Sequence, residues 1–345
     1  MAYTTINKST DYFETKLYTG NGSTNAQTGV GFQPDFTWIK ARSNAENHNL
    51  FDAVRGATKR IRSNGTEAED TRTTSLTAFG SDGFTLGSGS QVNTSGWTFA
   101  SWNWKANGTG SANTVGDLNS TVSVNTTAGF SIVTYSGTGN FGESVGHGLG
   151  VAPSMIIARR LNGVEDWGVY HKALGASKYI ILNTTGAEQS STSRWGGVAP
   201  TNSVFTVGNH ASVNVGSGTH VAYCFAEKQG YSKFGSYVGN GNVDGSFIYT
   251  GFKPAFVITK AYSGYAGYWT IHDSVRNPSN VSTMNALWSN SADAGAASYG
   301  FDLLSNGFKI RTTSATLNQS GAGYIYMAFA EAPLVGTNGV TAKAR

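Results

Sequence analysis

The residues that most often carry chemistry, histidines and paired carboxylates, form no catalytic pattern in this sequence. The histidines are His48, His147, His171, His210, His220 and His272, and no two of them have the i,i+4 spacing that places two zinc ligands on one helix face. His171 and His272 occupy related places in two similar segments. We interpret both as structural histidines near strand ends.

Two acidic groups could supply the carboxylate pair of a glycosidase. They are Glu67 with Glu69 and Asp70, and Glu165 with Asp166. Neither group recurs in the related segments described below. Glu227 and Glu331 follow apolar stretches, where a solvated strand end explains them. We therefore predict no enzyme activity and no catalytic residues, and a glycan depolymerase is the last of three hypotheses.

Glycine-rich segments such as Gly20-Asn21-Gly22 lack the helix and lysine of a phosphate loop and are predicted to be turns. Asn242 and Asp244 carry oxygens that calcium could use, but a hairpin turn is the favoured interpretation. We predict no metal site and no cofactor.

Aromatic residues in polar loops give the strongest binding signal. Sugar rings stack on aromatic faces, and Asn, Asp and Gln side chains orient their hydroxyls. The candidate glycan-binding residues are Tyr262, Tyr265, Tyr268, Trp269, Trp195 and Trp288, and four of them fall between positions 262 and 269. The alternative is that these rings pack on their own sheet or on another subunit.

Composition predicts an all-β protein with packed cores. The chain has 345 residues, 45 of them glycine, with 12% aromatic and only 13% charged residues. Thr, Val, Ile and Tyr together with Gly and Asn turns favour strands over helices. Cys224 is the only cysteine and is predicted to be a small buried residue on a strand.

Charge and hydropathy argue against two classes of partner. The net charge is +4, and the densest basic stretch is Lys59-Arg60-Ile61-Arg62, so we predict no nucleic-acid binding. No stretch approaches the roughly 20 apolar residues of a membrane span, so we predict no membrane insertion. The first residues do not resemble a signal peptide. We expect a soluble protein that is assembled in a cytoplasm.

Four landmarks recur three times in the same order, at offsets of about 100 to 120 residues. The first landmark is Tyr-x-Gly-x-Gly, at Tyr18, Tyr135 and Tyr237. The second is a proline before an apolar strand, at Pro34, Pro153 and Pro254. The third is a phenylalanine in a short strand, at Phe84, Phe205 and Phe308. The last is an aromatic closing strand that contains Trp104, Phe225 or Phe329.

The landmarks predict three tandem β-sandwich units of jelly-roll or lectin-like type, each of about 100 residues. The predicted bounds are an N-terminal arm at 1–15, units at 16–106, 130–227 and 234–331, a linker at 107–129 and a C-terminal tail at 332–345. Val122 and Val124 could form a short strand inside the linker. The strands after Pro34 and Pro254 alternate and end in lysine, which predicts one buried face and one solvated face.

Several motifs resemble a family abundant in marine tailed phages, including cyanophages. They include Tyr223-Cys224-Phe225-Ala226-Glu227, Gly251-Phe252-Lys253-Pro254-Ala255-Phe256-Val257 and Leu303-Leu304-Ser305-Asn306-Gly307-Phe308-Lys309. The opening from Tyr12 to Gly22 is similar as well. Members of this family are described as structural or tail-fibre proteins. The resemblance implies a virion component with lectin-like β-sandwiches and supplies no catalytic residues.

Three hypotheses follow from the resemblance and the loops. The first is a non-enzymatic virion surface protein, of tail-fibre or fibre-tip type, that contacts host-surface glycans. The second is a head decoration or knob protein with a purely structural role, and the third is the depolymerase. Other virion proteins of the tail or capsid are the expected partners. We also expect a homo-oligomer, with a trimer as one candidate because phage fibres are commonly trimers, and residues 1–15 with the first unit as the anchor.

Overall fold

A computed structural model describes residues 4–335 of the chain. Antiparallel strands make up nearly all of its regular structure, which confirms the predicted all-β class. No helix in the described range is long and apolar enough to cross a membrane.

The first unit pairs a four-stranded main sheet with a smaller three-stranded sheet. Its elements are the 3-10 helix η1 (Ser9–Asp11), β1 (Phe13–Thr19), β2 (Asn25–Thr28), β3 (Phe36–Ala41), β4 (Asn49–Asp52), β5 (Lys59–Arg60), β6 (Asp70–Thr71), β7 (Leu76–Gly80), β8 (Gly83–Leu86), α1 (Ser90–Asn93) and β9 (Thr98–Trp104). The main sheet has the order β1-β9-β3-β4, and the smaller sheet has the order β2-β8-β7.

The second unit has a wider main sheet because the predicted linker joins it. Its strands are β10 (Ser111–Asn113), β11 (Ser120–Asn125), β12 (Phe130–Ser136), β13 (Glu143–Gly146), β14 (Met155–Arg160), β15 (Gly168–His171), β16 (Lys178–Ile181), β17 (Gln189–Ser190), β18 (Val204–Val207) and β19 (Thr219–Phe225). The main sheet has the order β10-β11-β12-β19-β14-β15-β16-β17, and the smaller sheet pairs β13 with β18. The prediction of a linker over 107–129 is therefore wrong, since β11 pairs with β12 along its whole length. The short strand predicted at Val122 and Val124 is β11.

The third unit repeats the arrangement. Its elements are β20 (Ser232–Val238), β21 (Phe247–Tyr249), β22 (Phe252–Ser263), β23 (Thr270–Asp273), β24 (Met284–Trp288), β25 (Ala296–Tyr299), β26 (Phe301–Leu304), β27 (Gly307–Ile310), α2 (Ala315–Asn318) and β28 (Gly323–Pro333). The main sheet is β20-β28-β22-β23-β24-β25, and the smaller sheet is β21-β27-β26.

The three main sheets share one order of four strands. It is β1-β9-β3-β4 in the first unit, β12-β19-β14-β15 in the second and β20-β28-β22-β23 in the third. The register agrees as well. Trp104 lies opposite Phe36, Phe225 opposite Met155, and Phe329 opposite Phe256. Trp104, Phe225 and Phe329 are therefore equivalent positions, and contacts in one unit can be compared with those in the others.

Each unit has its own core between its two sheets. These cores are separate hydrophobic clusters, around Phe84 in the first unit, Phe205 in the second and Phe308 in the third. A fourth and larger cluster contains residues of all three units. The outer face of each main sheet is therefore buried against the other units.

An aromatic triangle lies at the centre of the shared cluster. The ring of Trp104 is 6.3 Å from that of Phe225 and 5.7 Å from that of Phe329, and the last two rings are 6.0 Å apart. One equivalent side chain from each unit thus contacts the other two. Aromatic pairs at such distances add stability beyond the area they bury.

Three equivalent hydrogen bonds close the units into a ring. Trp167 Nε1 of the second unit donates to Arg62 O of the first (2.8 Å), Trp269 Nε1 of the third donates to Ile181 O of the second (2.9 Å), and His48 Nε2 of the first lies 2.8 Å from Trp288 O of the third. Contacts of this head-to-tail kind form a closed ring when the rotation closes. We name the three interfaces the 1–2, 2–3 and 3–1 seams.

The described part of the N-terminal arm packs on its own chain. Thr4 and Ile6 are buried, and Thr4 Oγ1 donates to Gln229 O at 2.8 Å. The predicted arm also overlaps β1, which begins at Phe13. The C-terminal tail begins inside β28, which extends to Pro333, and its residues 336–345 lie outside the described range.

Candidate functional site

The loop predicted to bind glycans connects β22 to β23 and is fixed at its base. Lys260 Nζ donates to Gly267 O (2.7 Å) within the loop and to Thr185 O (2.8 Å) across the 2–3 seam. Trp269 is buried, and its backbone N–H donates to Asn290 Oδ1 at 2.9 Å. These contacts hold the base of the loop still, while Tyr265 and Tyr268 remain 36% and 38% exposed.

Burial removes two residues from the predicted glycan set. Trp269 is 1% exposed and lies in the shared central cluster, with its indole N–H bonded across the 2–3 seam. Trp195 is 2% exposed and packs at 6.0 Å on Tyr170 in the core of the second unit. The prediction is wrong for both, because a buried ring offers no face to a ligand.

The other four candidates divide into a packing residue and exposed or partly exposed rings. Tyr262 is partly buried against the shared cluster, and a Cβ placed on Gly323 would lie 2.4 Å from its ring. Tyr262 is therefore a packing residue. Trp288 is partly exposed and lies 5.6 Å from Tyr268, at an interplanar angle of 46°. Tyr265, Tyr268 and Trp288 are the members of the set that keep accessible ring surface.

Lys40 and Lys260, from the two strands predicted to have a solvated face, are buried in the seams, as is Arg159 at the equivalent position of the second unit. Lys40, Arg159 and Lys260 are equivalent and fully buried. Each donates to carbonyls of the neighbouring unit: Lys40 to Ala292 O, Arg159 to Gly65 O and Lys260 to Thr185 O. Burial lowers the pKa of Lys40 to about 8, that of Arg159 to about 10 and that of Lys260 to about 7. The predicted solvent face is wrong because a second unit covers it.

The two histidines that were predicted to occupy related places lie inside the fold but at different positions. His171 lies opposite Met155, whereas Asp273, and not His272, lies opposite the equivalent Phe256. His171 is buried, its Nε2 lies 3.2 Å from Tyr326 O across the 2–3 seam, and burial lowers its pKa to about 4. The His272 ring stacks on Phe301 at 4.3 Å, and burial lowers its pKa to about 3. Both rings are therefore neutral at pH 7 and have packing roles.

The acidic groups are held in contacts within the fold. Arg55 binds Glu69 at 2.9 Å, Arg60 binds Asp70 at 2.6 Å and Arg62 binds Glu67 at 3.1 Å. Asp166 Oδ1 accepts a hydrogen bond from Asn183 at 2.7 Å. These contacts give the first acidic group a structural role in supporting the polar segment beside the 1–2 seam.

The candidate calcium ligands form a turn. Asn242 Oδ1 accepts from Asp244 N at 2.9 Å, and Lys309 lies 2.6 Å from Asp244. No group of three or more His, Cys, Asp or Glu side chains in residues 4–335 is arranged to hold a metal ion. Cys224 is buried on β19, as its place in the sequence predicts.

Sequence reasoning missed an asparagine that fixes the Tyr-x-Gly-x-Gly turn in each unit. Asn93, Asn214 and Asn318 are fully buried. In each unit the side-chain oxygen of the asparagine accepts a hydrogen bond from a backbone N–H of the turn. The pairs are Asn93 Oδ1 with Asn21 N (3.0 Å), Asn214 Oδ1 with Thr138 N (2.9 Å) and Asn318 Oδ1 with Asn240 N (2.9 Å). The repeated pair Val/Leu-Asn shortly before a Gly-containing turn, at Val92-Asn93, Val213-Asn214 and Leu317-Asn318, could have identified it.

The repeated tyrosine belongs to the same device. The hydroxyls of Tyr18, Tyr135 and Tyr237 donate to the carbonyl of the residue before each asparagine, at 2.7, 2.7 and 2.9 Å. A buried tyrosine hydroxyl needs such a partner. The repeated Tyr-x-Gly-x-Gly motif therefore stabilises the turn and is not a ligand site.

Two seams contain clefts with charged walls. The cleft in the 3–1 seam has a volume of about 400 Å³ and is lined by Glu14, Lys253 and Glu331 among others. The cleft in the 2–3 seam has a volume of about 500 Å³ and is lined by Glu227, Lys233 and Tyr249 among others. Tyr249 is 53% exposed and was not among the predicted site residues.

A family model described as "Domain of unknown function (DUF7483)" matches residues 8–333, so the chain belongs to that family. Comparison with curated proteins and with solved structures gives no match.

Proposed function

We propose that this member of the DUF7483 family is a non-enzymatic surface protein of a tailed-phage virion that contacts host-surface glycans. The proposal depends mainly on the loop between β22 and β23, which leaves Tyr265 and Tyr268 more than a third exposed above a base fixed by Lys260 and Trp269. Tyrosine rings supply a large contact area at a low cost in side-chain entropy when a ligand stacks on them.

Two further features support a binding role. His171 and His272 and the carboxylates of Glu67, Glu69, Asp70 and Asp166 have structural partners, as described above. The motifs that recur along the chain resemble those of marine phage structural proteins, which supports a place on the virion.

Binding is tested on a glycan array with the purified chain. The double variant Y265A/Y268A should lose binding at least 10-fold, because it removes the exposed rings and leaves the anchoring contacts intact. The matched control is F141A, since Phe141 is a 53% exposed ring in the second unit. Equal binding by the double variant and the control would remove this loop from the proposal.

Immunogold labelling of phage particles that carry the gene tests the location. Label on tail tips or fibres supports the attachment role. Label spread over the capsid lattice would replace it with the decoration hypothesis. Particles without label would contradict the proposal that the protein is part of the virion.

A further inference from the structure

The larger of the two clefts has the features of a small-ligand site. Its volume of about 500 Å³ falls within the range of about 300 to 1,000 Å³ that is usual for such sites. It lies where the join between the second and third units, around Gln229 and Gly230, meets the end of β21. We propose that this cleft binds a neutral hexose unit of a surface polysaccharide, with Tyr249 as its stacking face. The inference rests on the proposed glycan function and assigns that function a site.

Tyr249 supplies an exposed aromatic face. It alternates along β21 with Ile248, which is buried in the core of the third unit, so Phe247 and Tyr249 share the outer face. Tyr249 is 53% exposed and lines the cleft, whereas Phe247 is 46% exposed and does not line it. A sugar ring places its C–H bonds against such a face. The two residues therefore form a natural pair of test and control.

The cleft lining also supplies a charged hydrogen-bonding group, Glu227. Glu227 accepts from Lys233 Nζ at 2.9 Å and from Lys172 Nζ at 2.5 Å. Burial alone would raise the pKa of the Glu227 carboxyl, but the bonds from the two lysines outweigh it and keep the pKa below its usual value. Glu227 is thus a carboxylate at neutral pH, held in one orientation, with lone pairs that can accept from sugar hydroxyls.

The lining also indicates the charge of the ligand. Glu227 and Lys233 are the charged side chains that line the cleft, and they form an ion pair. Lys172, the second lysine bound to Glu227, does not line the cleft. The remaining lining side chains, Gln229, Ser232 and Thr250, are polar and uncharged. The hydroxyls of Ser232 and Thr250 bond to backbone groups, so Gln229 and the paired Glu227 and Lys233 are the polar groups left to meet a ligand. One aromatic face beside an uncharged amide and a paired carboxylate fits a neutral hexose better than an anionic sugar or an apolar molecule.

The experiment is saturation-transfer NMR on the full chain, with methyl glycosides of neutral hexoses and N-acetylhexosamines as probes and a methyl uronide as the anionic comparison. Wild type and F247A should bind the neutral probes equally well. Y249A should weaken the binding of the best probe at least 10-fold. Y249F should bind this probe as the wild type does, because the phenyl face is kept. Circular dichroism checks that each variant keeps its fold.

The outcomes separate this site from the wider function. Binding that Y249A retains and Y268A loses would overturn the cleft assignment while the glycan function stands. An equal loss of probe binding in Y249A and F247A would also overturn the cleft assignment, because the loss would then come from a change in β21 as a whole. A preference for the uronide would overturn the neutral ligand class. A wild-type chain that binds no probe would overturn both the site and the glycan function.

Discussion

The 2–3 and 3–1 seams have the same geometry but opposite electrostatics. Lys233 is the second residue of β20, as Glu14 is the second residue of β1. Glu227 and Glu331 each lie two residues after the central phenylalanine of their closing strand. In the 2–3 seam the pair is Glu227 with Lys233, at 2.9 Å. In the 3–1 seam the corresponding residues are two glutamates, Glu331 and Glu14.

The pKa values follow this difference. Lysines hold the pKa of Glu227 below its usual value. Burial raises the pKa of Glu14 to about 7, and the charge of Glu331 adds to the increase. The Thr15 backbone N–H, Lys16 and Lys8 act in the opposite direction, and Lys253 pairs with Glu331 at 2.7 Å. Equivalent positions in a repeated fold can therefore stabilise one interface and make its counterpart sensitive to pH.

The largest expected effect comes from the buried pair that supports the 3–1 seam. Asp273 binds Arg276 at 2.5 Å and accepts from Trp102 Nε1 across the seam at 3.0 Å. D273A leaves a buried arginine without its carboxylate, so we expect the free energy of unfolding to fall by about 3–5 kcal/mol. Urea unfolding measures it.

The equivalent pair in the first unit is the matched comparison. Asp52 binds Arg55 at 2.5 Å and accepts from Tyr223 of the second unit at 2.7 Å. D52A should therefore lower the free energy of unfolding as D273A does. The surface control D244A should leave the urea midpoint unchanged, because that side chain is 73% exposed. A D273A midpoint equal to that of D244A would show that the 3–1 seam does not depend on this pair.

A second test compares the buried lysines of the two seams through their pH dependence. Lys260 has a pKa of about 7 in the folded chain against the ordinary lysine value of 10.5, so the unfolded chain binds the extra proton between these values. Relative to K260M, the free energy of unfolding of the wild type should rise with pH above about 7, by about 1 kcal/mol per unit.

Lys40 in the 3–1 seam provides the comparison for Lys260. Its pKa of about 8 means that the corresponding rise, relative to K40M, should begin about one pH unit higher. Urea midpoints measured from pH 6 to pH 10 would show both onsets. Parallel curves for wild type and K260M would mean that Lys260 keeps its proton in the folded chain.

The smallest expected change in the free energy of unfolding comes from replacing Glu14 in the 3–1 seam. Its folded pKa of about 7 lies above the ordinary 4.5, so the folded chain gains stability below pH 4.5 and loses it as the pH rises through about 7. E14Q should therefore raise the free energy of unfolding at pH 8, by about 1 kcal/mol once solvent screening is allowed for, and change it little at pH 4.

Charge exchange provides the reciprocal test for Glu14. E14K recreates in the 3–1 seam the pairing of Glu227 with Lys233 and should stabilise the chain at pH 8. K233E should destabilise it by placing two carboxylates together in the 2–3 seam. Equal effects of E14K at pH 4 and pH 8 would contradict a titrating Glu14.

Features that depend on local pattern were predictable from the sequence. Thr- and Val-rich segments with Gly turns gave the all-β class, and the aromatic closing strands marked Trp104, Phe225 and Phe329, which meet in the central triangle. The buried state of Cys224 followed from its apolar neighbours on the strand.

Features that depend on the packing of one unit against another were not predictable in this way. Alternation along β3 and β22 predicts a solvated face when a sheet is considered alone. The neighbouring unit covers that face, so Lys40 and Lys260 are buried. Trp269 was placed in a loop for the same reason, and Tyr249 was missed because a strand residue gives no sign of the cleft beside it.

The closed ring of units has a consequence for how the protein assembles. A ring built from separate subunits dissociates on dilution, since its formation depends on their concentration. Here the peptide chain joins the three members, so each finds its neighbours at the high effective concentration set by short connections. Ring closure is therefore a unimolecular step, and the aromatic triangle should persist at any dilution at which the chain stays folded.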